Sequence, residues 1–86
     1  MTRKIAQKLT RQRDSYIRKI QRDVRTRFPS ADFDILRGPG LKQATIRVAV
    51  PAKDPLDAVD AIGDDWIDAI EKGFYFDIRP STLKNR

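Results

Sequence analysis

The chain has 86 residues, 40% of them hydrophobic and 35% charged, with a formal net charge of +6. That length bounds it to a single domain, residues 1–86, burying roughly 60–65% of the surface its unfolded form would expose. Without Cys or His, disulfides, thiolate metal sites and the commonest general base are excluded.

No run approaches the roughly 18 apolar residues of a membrane span. The basic opening runs into more charge without the apolar segment of a signal peptide. A soluble cytoplasmic protein is therefore expected. The net charge hides an asymmetry. Residues 1–28 carry ten bases against Asp14 and Asp23, whereas residues 29–86 carry eight bases against ten acids. Such lopsidedness points to an anionic partner or to an internal electrostatic match.

"TRKIAQKLTRQRDSYIRKIQRDVRTRF" (2–28) reads as a helix. Ile5, Leu9, Tyr16, Ile20, Val24 and Phe28 cluster on one side of the helical wheel. Lys4, Lys8, Arg11, Ser15, Arg18, Arg22 and Arg25 follow a 4-3-4-3-4-3 spacing and form a stripe nearly opposite. Arg13 and Arg27 interrupt the apolar side. Thr2 is a candidate N-cap, and Pro29 ends the helix because the residue before a proline is pushed away from helical ψ. At 1.5 Å per residue the apolar stripe is some 36 Å long, against about 20 Å for a six-residue strand. An overhang over residues 1–13 is therefore expected, with Ile5 and Leu9 lacking a partner within the chain.

"ADFDILRG" (31–38) and "QATIRVAV" (43–50) read as strands. Ala44, Ile46, Val48 and Val50 alternate with Thr45, Arg47 and Ala49, the period of a half-buried strand. In the first strand Phe33 and Ile35 share the buried face. "GPGLK" (38–42) between them reads as a hairpin turn, its glycines supplying positive φ. "DPLDAVDAIGDDWIDAIEKG" (54–73) reads as one acidic helix. Asp54 is its N-cap, Pro55 its first residue and Gly73 its left-handed end. Its apolar stripe is Leu56, Val59, Ile62, Trp66, Ile67 and Ile70. "FYFDIR" (74–79) is a third strand with Phe74, Phe76 and Ile78 inward; Pro80 stops it, leaving residues 80–86 as a flexible tail.

The order α-β-β-α-β with one apolar face per element gives an α+β fold. It comprises a three-stranded, mostly antiparallel sheet with two helices packed on one face and a long N-terminal helix. The other face, from Asp32 to Arg79, is polar and open.

Several chemistries fall away on inspection. Asp64, Asp68 and Glu71 share a helix face, but two-metal catalysis gathers carboxylates from different elements around an enclosed cavity, so a solvated face is the reading. "RGPGLK" lies between two strands and lacks the phosphate-loop spacing. Ser15, Ser30 and Ser81 have no His to activate them. We expect no enzyme, cofactor, metal, membrane partner or small-molecule substrate. The sharpest expectation is a binding module contacting nucleic-acid backbone through Lys4, Lys8, Arg11, Arg18, Arg22 and Arg25, with no groove-reading motif beside them. The rival is a protein-interaction or homodimerisation module. It would work through the overhang, at Ile5 and Leu9, or through the acidic second helix.

A basic helix ending in "RFP", a strand pair and an acidic helix containing Trp66 loosely resembles, over residues 18–70, the small damage-inducible bacterial proteins that bind a recombinase filament. The likeness is one of order without a diagnostic motif, and it recognises no family. Strand "FYFDIR" and the N-terminal extension depart from it. What it implies is docking of the acidic helix on a protein.

Overall fold

The structure, a computed structural model, describes residues 2–83, with side chains for residues 4–83. The first helix, α1, spans Thr2–Arg27. Arg, Lys and Gln are strong helix formers and the β-branched residues of this stretch stand apart, so propensity and pattern agree. Arg25 and Arg27 in the last turn answer the negative end of the helix dipole. Phe28 still donates its N–H to the Val24 carbonyl at 2.7 Å, and Pro29 ends the run. The capping role expected of the Thr2 side chain lies outside the described residues, as do residues 84–86 of the expected tail.

Strands β1 (Asp32–Arg37) and β2 (Gln43–Val50) pair antiparallel, with Ile35 opposite Ile46 and Phe33 opposite Val48. Helices α2 (Leu56–Ala61) and α3 (Asp64–Glu71) carry the chain back across the sheet. Strand β3 (Tyr75–Thr82) then pairs parallel with β2, in the order β1-β2-β3. The fold is α+β with a mixed three-stranded sheet. The hairpin makes one pair antiparallel, and the helical crossover makes the other parallel.

The core forms between the helices and one face of β2. Ala44, Ile46, Val48 and Val50 are buried, with Ile17, Ile20 and Val24 of α1, Ala58 and Ile62 around α2, Ala69 of α3, and Phe74 and Phe76 of β3. Phe33, Ile35 and Ile78 pack partly buried against it. The opposite face holds Asp32, Asp34, Leu36, Arg47, Tyr75 and Arg79, all exposed.

Five details differ from the sequence reading. First, residues 54–73 form two helices. Ile62 leaves the helical region (ψ 119°), and the Gly63 N–H donates to the Asp23 carboxylate at 3.3 Å. The break rephases the apolar side, so Ala58, Ile62 and Ala69 are buried while Leu56, Ile67 and Ile70 are exposed.

Second, β3 continues through Pro80 to Thr82. Tyr75 and Leu83 both donate N–H groups to β2-side carbonyls, of Lys42 and Val50. Donors alternate along a strand, so odd-numbered residues face β2 and the missing Pro80 N–H falls on the open edge, where it costs no ladder bond. Residues 80–82 are therefore strand rather than tail.

Third, neither Gly38 nor Gly40 has a positive φ; Gly73 does, at +88°. Space is what the hairpin glycines supply: a Cβ on Gly38 would stand 3.0 Å from Gln43 Cβ.

Fourth, Arg13 is buried at 7% exposure, and Ile17 is buried in the core beside Ile20 and Val24. Arg13 Nε donates to Asp14 Oδ1 at 3.3 Å, and Arg37 Nε reaches the same oxygen at 3.1 Å. The buried cation is tolerated because it carries its own counter-ion.

Fifth, Leu9 packs partly buried against the core rather than lacking a partner in the chain. Gly73 ends α3 as expected, while Pro55 rather than Asp54 takes the N-cap position of α2, a shift of one residue. The Asp54 carboxylate accepts the Leu56 N–H at 3.0 Å. At the other end Phe74 N–H bonds Ala69 O and Gly73 N–H bonds Ile70 O, the paired bonds of a Schellman end.

Candidate nucleic-acid interface

α1 lies across the helical face of the sheet, and its interior side is set by Arg13, Ile17, Ile20 and Val24. The opposite side must then face water. Lys4, Lys8, Arg11, Arg18, Arg22 and Arg25 are all exposed there. From Lys4 to Arg25 the helix rises about 32 Å at 1.5 Å per residue, so the charges are spread along a rod rather than gathered at a point.

None of these six cations forms an ion pair among the described residues; the four pairs are Arg13–Asp14, Arg37–Asp14, Arg47–Asp34 and Arg79–Asp77. The two acids of α1 are engaged elsewhere. Asp14 holds Arg13 and Arg37, and Asp23 accepts the Gly63 amide. The acids of α2 and α3 also take no ion pair from α1. The internal match weighed from sequence forms no ion pair among the described residues and remains as the longer-range pull of Lys19 and Arg22 on Asp65.

Near the C-terminal end of the stripe, Arg18, Gln21, Arg22, Arg25 and Thr26 line an open depression of about 550 Å³. The Arg25 guanidinium lies 4.9 Å from the centroid of the Phe33 ring, which ties its stem to β1. Thr26 Oγ1 donates to the Arg22 carbonyl at 2.8 Å and is spent within the helix.

On the flank toward α3, two carboxylates meet. Asp65 is raised above its ordinary value by a hydrogen bond with Asp23, then by partial burial and by the Asp23 charge, with Lys19 and Arg22 opposing. The hydrogen bond, the burial and the neighbouring negative charge all favour the neutral form of Asp65.

Of the apolar residues expected at a partner interface, Ile5 is 53% exposed while Leu9 is covered by the chain's own core. The acidic helix face carries no metal constellation: no group of three or more Asp or Glu gathers to hold an ion among the described residues. No helix among the described residues is long and apolar enough to cross a membrane. Sequence reasoning did not single out Lys19, Lys42 and Lys72. They come together only when α1, the hairpin and the end of α3 are folded, and no spacing along the chain announces it.

Compared with family models, curated proteins and solved structures, the chain matches none.

Proposed function

We propose that this protein is a small non-enzymatic binding module that lays the exposed face of α1 along a nucleic-acid backbone. One observation supports it above the rest. Six cations spread along a single helix face are exposed and free of ion pairs among the described residues. Such an array gains from releasing the counter-ions condensed on a polyanion, and it reads charge spacing rather than base sequence.

The test is fluorescence anisotropy on a generic duplex across a salt series. Six phosphate contacts give a slope of log K against log salt near −5, at about −0.9 per contact. Arg18→Gln, Arg22→Gln and Arg25→Gln together should reduce that slope by about three, with unchanged circular dichroism. No anisotropy change at low salt sinks the reading.

A second reading, association with a protein or a second copy, is favoured by a different observation. Ile5 of α1 and Ile67 and Ile70 of α3 are 53%, 56% and 53% exposed, apolar side chains that a partner could cover.

A further inference from the structure

Between α1 and the junction of α3 with β3 lies a cavity of about 260 Å³ lined by Gln12, Ser15, Tyr16, Lys19, Lys72 and Phe74. Its floor is aromatic. The Tyr16 and Phe74 ring centroids stand 5.5 Å apart with the planes tilted by 54°. Its rim is cationic, with Lys19 and Lys72 in the lining and Lys42 adjoining it over Phe74. Lys19 Nζ lies 5.3 Å from the Tyr16 ring centroid, and Lys42 Nζ 5.4 Å from that of Phe74. Lys42 Nζ also donates to the Lys72 carbonyl at 3.5 Å, which holds the Lys42 head group at the end of α3. None of the three lysines forms an ion pair among the described residues.

Each part of this cleft suits one kind of ligand. Ring faces accept a flat π-system, flexible ammonium groups accept phosphate oxygens, and the Ser15 hydroxyl and Gln12 amide offer both donor and acceptor. Drug-sized sites run from about 300 to 1,000 Å³, so this one holds a single base unit and not a dinucleotide. Ser15 also belongs to the cationic stripe, so the cleft opens onto the stripe's flank.

We propose that the cleft accepts one unstacked base of a single-stranded nucleic acid whose backbone follows α1. Tyr16 supplies the stacking ring. Lys19 swings off that ring onto a phosphate on one side of the base, and Lys72 and Lys42 face the phosphate on the other. The proposal rests on the backbone-binding reading and narrows it, because a paired base cannot present its face to Tyr16.

The experiment compares a labelled 12-nucleotide oligothymidylate with a 12-base-pair duplex at one low salt concentration. A second strand carries a single 2-aminopurine as a stacking reporter. The wild type should bind the single strand about ten-fold tighter than the duplex, and the reporter's fluorescence should fall on binding. Tyr16→Leu should lose about ten-fold on the single strand, leave the duplex within about two-fold, and abolish the fluorescence change. Lys19→Gln with Lys72→Gln alters exposed side chains only, so it keeps the test decisive if Tyr16→Leu fails to fold. That pair should erase the preference for the single strand. Equal binding of both probes, weakened equally by the variants, overturns the cleft while leaving the stripe standing. Binding of neither probe overturns both.

Discussion

Asp65 meets Asp23 across the seam between α1 and α3, and the raised pKa of Asp65 ties protonation to stability. The folded chain binds the Asp65 proton more tightly than the unfolded chain. Its contribution is therefore complete below the ordinary value of 3.8 and is lost as pH rises through the raised folded value. Asp65→Asn replaces the repelled carboxylate with an amide that donates to Asp23 at any pH. Thermal unfolding followed from below pH 3.8 up to neutral pH should show the variant gaining on the wild type as pH rises. A difference that stays constant with pH would remove the carboxyl pair as its cause. At this scale the sequence is only partly legible. The outward cations Lys4, Lys8, Arg11, Arg18, Arg22 and Arg25 follow from helical spacing alone. Arg13 does not, since its burial depends on Asp14 and on Arg37 arriving from β1.

Elements were easier to read than their seams. α1, the hairpin pair and the two ends of residues 54–73 each carry local chemistry that announces them: a proline stop, alternating apolar residues, Asp54, and Gly73. The split at Gly63 was hidden because either one helix or two satisfies the same apolar count; the Asp23 carboxylate, forty residues earlier, receives the freed amide. Pro80 misled for a related reason. A proline ends a central strand but is harmless on the outer side of an edge strand, and which side it occupies depends on pairing with β2. Gly73 offers a direct check on the end of α3. Its φ of +88° is strained for any L side chain, and a Cβ there would sit 3.1 Å from Lys42 Nζ. Gly73→Ala should lower stability by about 1–2 kcal/mol in chemical denaturation. A neutral result would mean that the turn after α3 can relax into another shape.

As a whole the molecule is elongated, with principal extents of 50 × 24 × 17 Å, and the long axis reflects a helix of 26 residues. Charge is distributed unevenly over that shape. The outer side of α1 is cationic, while α3 presents Asp64, Asp68 and Glu71 beside exposed Ile67 and Ile70. If a second copy covers this apolar surface, sedimentation mass should rise with protein concentration, and Ile5→Glu or Ile67→Glu should return it to that of one chain. A mass independent of concentration in the wild type rules out self-association. The tertiary meeting of Lys19, Lys42 and Lys72 beside two rings was beyond sequence reasoning, because no single element holds them. The outer border of β3 has a further consequence. A neighbouring molecule zipping onto it would need a regular row of outward amides, and Pro80 leaves a gap in that row. Polymerisation through that border is thereby discouraged without any covering segment.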